Sequence, residues 1–175
     1  MAKDPNKVKQ GKRNKAQGAA FELRVRKDLE EKGWIVSKWQ NNVELPEIIK
    51  SKKNPELLMD CLDKIKSFGK LIPAKTKWAG PGRPMVLGSG FPDFVAFTKN
   101  TKIIKCSLVK DEFRQVVIGV ESKINGYLTK EERAKCKWLL DNSVFSRILI
   151  ARKTKVKNKI KIIYEDFEEK YGNKK

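Results

Sequence analysis

An α/β sandwich around a mixed β-sheet is the architecture this sequence predicts, and three observations predict it. Phe21, Val25 and Leu29 recur at helical spacing near the start of the chain. Short runs rich in aromatic and β-branched residues follow, at residues 34–39 (WIVSKW), 90–97 (GFPDFVAF) and 115–123. Thr129 and Glu132 then form a T-x-x-E capping box, which opens a second helix between two apolar runs. The order of helix, strand, insert, strands, helix, strand, strand is that of helices packed on a mixed sheet.

Each element has its own signal. Met1 to Gln17 carries Lys3, Lys7, Lys9, Lys12, Arg13 and Lys15 with almost nothing apolar, and reads as a flexible basic arm. A single domain, 18–175, follows. Gly33 closes the first helix as a C-terminal cap should. Residues 41–78 form an insert that is mainly helical, with Leu45, Ile48, Leu57, Leu58, Leu62 and Ile65 as its apolar positions and a break near Asn54-Pro55. A Gly/Pro loop spans 79–90. Strands are expected at Phe91–Phe97, Ile103–Val109 and Gln115–Lys123, with a turn at Asn125-Gly126. The second helix should run to about Asp141, followed by strands at Arg147–Ala151 and Lys159–Tyr164 and a short helix over Glu165–Tyr171. At least three of Trp34, Trp39, Trp78 and Trp138 belong to the core.

Composition narrows the function. The chain holds 40 Lys and Arg against 21 Asp and Glu, a net charge of +19. Such an excess repels itself unless a polyanion relieves it, and nucleic acid is the commonest polyanion. No apolar run is long enough to span a bilayer and no secretory signal is visible, so a cytoplasmic protein of a prokaryote or virus is expected. Cys61, Cys106 and Cys136 form no C-x-x-C pair, which argues against zinc and against a disulfide framework. The chain has no histidine. A His general base, a His-containing triad and His metal ligands are therefore excluded, and any hydrolysis falls to carboxylates, Lys, Tyr and bound metal.

Three carboxylates and one lysine carry candidate chemistry. Glu121 and Lys123 lie on one face at the end of an apolar strand, because strand side chains alternate. Alone, Glu-x-Lys describes many solvated faces. Asp93 sharpens it, since an aspartate flanked by apolar residues needs a partner, and a hard cation shared with a second carboxylate is one. If the two strands pair, Asp93 and Glu121 can share one Mg²⁺, with waters and a backbone carbonyl, that of Ser122, completing the octahedron. Lys123 would orient the attacking water or hold the phosphate. Glu22 shares the inward edge of the first helix; it is either an outer ligand of the same metal or an acidic residue in an early helical turn.

Glu22 on a first helix, then Pro92-Asp93, then Glu121-Ser122-Lys123, then a helix and a strand, resembles the PD-(D/E)XK nuclease superfamily, and within it archaeal Holliday-junction resolvases and VRR-type nuclease domains. The resemblance covers residues 18–39 and 85–151. It implies a restriction-endonuclease-like fold, dependence on Mg²⁺ or Mn²⁺, DNA as substrate, and Glu22, Asp93, Glu121 and Lys123 as catalytic residues. Relatives often carry Gln on the helix where this chain has Glu132. The interval between Asp93 and Glu121 is long: an extended hairpin would keep the two acidic strands adjacent, whereas an inserted strand at Ile103–Val109 would separate them. DNA contacts are expected from Lys12, Arg13 and Lys15 in the arm, from Arg83 in the Gly/Pro loop and from Lys130. The expected activity is a metal-dependent DNA endonuclease acting on branched or structured DNA, as a homodimer. The alternative is a basic nucleic-acid-binding protein that keeps the fold without turnover.

Overall fold

The computed structural model describes residues 4–45, 69–78, 80–82, 86–88, 90–98, 116–157 and 159–172. In chain order these form α1 (Pro5–Glu31), β1 (Ile35–Lys38), β2 (Asn41–Glu44), β3 (Lys70–Pro73), β4 (Thr76–Lys77), β5 (Val86–Leu87), β6 (Phe94–Thr98), β7 (Val116–Ser122), α2 (Lys130–Asp141), β8 (Arg147–Val156), β9 (Lys159–Asp166) and α3 (Phe167–Tyr171). The predicted α/β class holds: five strands make one mixed sheet in the order β1-β6-β7-β8-β9. Only β7 and β8 run parallel; the other neighbours are antiparallel. A parallel pair needs a crossover connection, and α2 is that crossover. No helix among the described residues is long and apolar enough to cross a membrane.

The alternation of the strands builds two cores. On one face, Phe21, Val25 and Leu29 of α1 pack on Val36, Phe94, Ala96, Ile118, Val120 and Ala151. On the other, Ala134, Cys136, Trp138 and Leu139 of α2 pack with Phe145, Ile148, Ile150, Phe91 and Phe167. The register explains the division: Phe94 stands opposite Val120 and Ala96 opposite Ile118, so these four point one way, while Gly119 and Glu121 point the other.

α1 corrects the reading of residues 1–17 as a flexible arm. The helix begins at Pro5, so Lys12, Arg13 and Lys15 stand on an ordered helix. Two causes outweigh the missing apolar stripe. Asp4 caps the helix, its side chain accepting from the Asn6 N–H at 2.9 Å, and Pro5 occupies the position where a lost N–H costs nothing. The packed half of the helix also supplies the nucleus, so the N-terminal half only has to propagate through Lys, Gln, Arg and Ala. At the other end Gly33 adopts a φ of 85°. Trp34 N–H then reaches back to the Leu29 carbonyl at 3.1 Å.

The insert is also more β-like at its ends than expected. Residues 41–44 and 70–73 pair as an antiparallel ladder, and 76–77 pair with 86–87. The helices expected between them fall at 46–68, outside the described residues, as do Cys61, Arg83, Cys106 and the strand expected at Ile103–Val109. β8 extends five residues beyond the expected Ala151, to Val156, because its lysines pair in register with β9. Trp34, Trp39 and Trp138 pack in or against the core, and Trp78 is 70% exposed.

Candidate active site

β6 and β7 pair directly, with Phe94 opposite Val120, so whatever the long connection contains, the two acidic strands are neighbours. This register brings Asp93, just before β6, beside Glu121 near the end of β7. The two residues interlock. Asp93 Oδ2 accepts from the Ser122 N–H at 2.9 Å, and Glu121 Oε2 accepts from the Asp93 N–H at 3.1 Å. Each carboxylate is thus held by the other residue's strand, which fixes both at the same strand ends.

Gly119 makes this approach possible. It faces the same side as Glu121, and a Cβ there would lie 2.8 Å from Pro92 Cγ and 3.2 Å from Phe145 Cδ2. Gly119→Val should therefore push Pro92-Asp93 away from β7. We expect a loss of roughly 1–3 kcal/mol of stability from overpacking, read from the urea midpoint, together with loss of any activity that needs Asp93 beside Glu121. An unchanged midpoint would show that Pro92 yields freely.

Burial governs the electrostatics. Glu121 is only 4% exposed; that burial, followed by the charge of Asp93, pushes its carboxyl up to about 8, against the pull of Lys123. Asp93 is raised as well, first by burial and then by Glu22, although the Ser122 N–H and the charges of Lys38 and Lys123 oppose this. Two adjacent acids withdrawn from water resist ionising together, and a cation between them would relieve both. Their hard oxygen donors fit Mg²⁺ or Mn²⁺. Among the described residues no set of three or more Asp, Glu, His or Cys side chains forms a ready metal cluster. Asp93 and Glu121 would hold such an ion as a pair, with the Ser122 carbonyl and waters as the remaining oxygens.

Lys123 lies 3.1 Å from Glu121 Oε1 and 2.6 Å from Glu132 Oε1. Burial alone would lower its pKa, but the Glu132 hydrogen bond and the charge of Glu121 outweigh that and raise it. Lys123 therefore stays cationic. Glu132 is the residue that sequence reasoning under-read. Its capping role is real, since Oε2 accepts from the Thr129 N–H at 2.8 Å and Thr129 Oγ1 accepts from the Glu132 N–H at 3.2 Å. The same side chain also grips Lys123, so α2 clamps the lysine that follows β7.

Glu22 is drawn elsewhere. Lys38, at the end of β1, donates to Glu22 Oε2 at 2.5 Å and lies over the Phe94 ring. Glu22 is thus near enough to raise Asp93 but is neutralised by its own lysine, which favours the outer position over direct ligation. Lys38 had no motif to announce it. Lys130 is exposed at the first position of α2. Comparison with known proteins gives no match to a family model, a curated protein or a solved structure.

Proposed function

We propose that the chain is a metal-dependent DNA endonuclease of the PD-(D/E)XK type. The observation that carries this reading is the interlocked pair of carboxylates, the half-buried Asp93 and the buried Glu121, on adjacent strand ends, with the cationic Lys123 held against Glu121. A protein that only binds polyanions gains nothing from withdrawing two adjacent acids from water where a phosphate would approach. The element order α1-β1-β6-β7-α2-β8, with β7 and β8 parallel across α2, supports a restriction-endonuclease-like core.

Asp93 and Glu121 would hold the cation. When bound, a divalent ion lowers the pKa of an attached water and offsets charge on the scissile phosphate. Lys123 has three N–H donors. Two are taken by Glu121 and Glu132, and the third can reach a phosphate oxygen or the attacking water. Because it remains protonated, it serves as a fixed charge and not as a base. Glu132 keeps that charge in place.

The direct test is a divalent-metal titration with supercoiled plasmid, linear duplex and a four-way junction. We expect nicking and linearisation in Mg²⁺ or Mn²⁺ and none in EDTA, with the junction cut faster than linear duplex. A homodimer, measured by light scattering, would place two Asp93–Glu121 sites on opposed strands of a junction. Cleavage in EDTA would remove the metal assignment.

Lys123→Met should slow cleavage about 10²-fold or more while leaving metal-dependent DNA binding in place. Glu132→Gln keeps one acceptor oxygen and puts an N–H donor where the other stood, so either the grip on Lys123 or the cap on Thr129 is lost while Lys123 itself remains, and its loss should be smaller than that of Lys123→Met. Equal rates for Lys123→Met and the unaltered protein would take Lys123 out of the chemistry.

A further inference from the structure

The stripe of α1 that seats the helix on the sheet changes character where the helix runs past it. Over the sheet the stripe is Phe21, Val25 and Leu29, all buried. Toward the N-terminus that direction carries Gly18, Asn14, Gly11 and Lys7, and along its edge run Gln17, Asn14, Arg13, Gln10 and Asn6, these five all exposed. These five side chains fall within an arc of about 100° on a helix of 3.6 residues per turn. None of them is hydrogen-bonded or ion-paired to another described residue. Asn is a poor helix former, so propensity gives no reason for Asn14 in an exposed helix interior.

The rest of the surface is cationic. Lys7, Lys9, Lys12 and Lys15 point around the remaining sides, and no acidic residue lies between Asp4 and Glu22. A helix that lies across a single phosphate track needs positive charge on one side only. One that enters a groove meets phosphates on both rims, and base edges on the face between them. Asn and Gln make paired hydrogen bonds to adenine, and Arg to guanine, in the major groove, whose roughly 12 Å width admits a helix. The helix also leaves the sheet on the side that carries the candidate site, since Glu22 is tied to Lys38 at the strand end next to Phe94. Asn14 and Asn6 lie about 12 and 24 Å along the axis from Glu22 at 1.5 Å per residue.

We propose that the N-terminal half of α1 is a recognition helix for the major groove of duplex DNA, with Asn6, Gln10, Arg13, Asn14 and Gln17 facing base edges and the four lysines taking phosphates. This rests on the DNA-binding part of the nuclease reading and not on its chemistry. The protein therefore has a sequence preference carried by α1 and separable from cleavage.

The experiment is selection of duplexes from a randomised pool by the full chain in EDTA, where the proposed chemistry is off. We expect enrichment of a motif of roughly three to five base pairs, bound about tenfold or more tighter than a scrambled duplex. Gln10→Ala/Asn14→Ala should erase the preference and keep the salt dependence, with helicity checked by circular dichroism. Replacing the four lysines by Gln should do the reverse, lowering the slope of log K against log salt by about 0.9 for each phosphate no longer neutralised. No enriched motif, or a motif that survives Gln10→Ala/Asn14→Ala, overturns the proposal. So does tighter binding, at the same salt, to double-stranded RNA, whose major groove is too narrow to admit a helix, or to anionic vesicles. A motif found in a protein that never cuts DNA in Mg²⁺ supports the recognition helix and removes only the nuclease reading.

Discussion

Asp93→Ala and Glu121→Ala should each abolish Mg²⁺-dependent cleavage while DNA binding in EDTA survives or tightens. Both directions follow from the same geometry. Asp93 and Glu121 each take an N–H from the other's strand, so removing either carboxylate leaves a single acid, too little to hold a divalent ion in place. Effects on the order of 10³-fold or more are expected where a metal supplies both the nucleophile and the charge stabilisation. Without a cation the pair carries one negative charge while Glu121 keeps its proton and two above about pH 8, so binding survives near neutrality and tightens at higher pH, where removing one acid lowers the repulsion of an incoming phosphate. Single-turnover rates and gel-shift affinities on one labelled duplex separate the two effects. Loss of binding in parallel with cleavage would point to damage to the fold, and urea midpoints for both variants decide that. Full activity in either variant would end the assignment of a paired-carboxylate site.

Much of this arrangement was legible in the sequence because it lies on strongly patterned elements. The helical spacing of Phe21, Val25 and Leu29 marks the buried face of α1, and the capping box marks the start of α2 at the residue where it begins. Alternation placed Glu121 and Lys123 on one face, and although β7 ends at Ser122, Lys123 still reaches Glu121 Oε1 at 3.1 Å. The adjacency of Asp93 and Glu121 was not legible, since a strand within their long connection would have parted them; the direct pairing of β6 with β7 decides it.

What escaped the sequence has identifiable causes. The N-terminal half of α1 has no apolar period and holds Gly11 and Asn14, so its only local announcement is Asp4-Pro5, a cap at the head of a Lys-rich run. Lys38 is one of many lysines, and nothing in a strand's pattern says that its terminal lysine will neutralise a helix carboxylate. Glu132 already had a sufficient local explanation in the capping box, and local explanations hide tertiary ones. A carboxylate has two oxygens, and here one caps α2 while the other holds Lys123. The strand ends of the insert were masked by an apolar pattern that suits helix and strand alike.

Thermal stability measured in EDTA should fall as pH rises from about 5 to 8, and Mg²⁺ or Mn²⁺ should restore more of it at pH 8 than at pH 5.5. Glu121 titrates near 8 in the folded protein, against 4.5 as its ordinary value. Between those limits the folded state keeps a proton that the unfolded chain has lost, so each rise in pH favours unfolding. Asp93 is raised too and acts in the same direction. Glu132 and Glu165 are lowered, so their contribution is lost only as pH falls below the ordinary carboxylate range. Lys123 is raised, so its contribution persists until the pH passes the ordinary lysine value. The chain has no histidine, so no other kind of side chain ordinarily titrates between pH 5 and 8. That leaves the window to the paired acids. On the proposed reading a divalent ion would replace the proton they otherwise share, and its stabilising effect would therefore grow where the proton is scarce. Glu121→Gln should flatten the pH profile and remove most of the metal increment, because the amide needs neither proton nor cation. Differential scanning fluorimetry of both proteins, at four pH values with and without metal, measures all of this. A melting temperature that climbs with pH in EDTA, or a metal increment that Glu121→Gln leaves intact, would place the cation somewhere other than the Asp93–Glu121 pair.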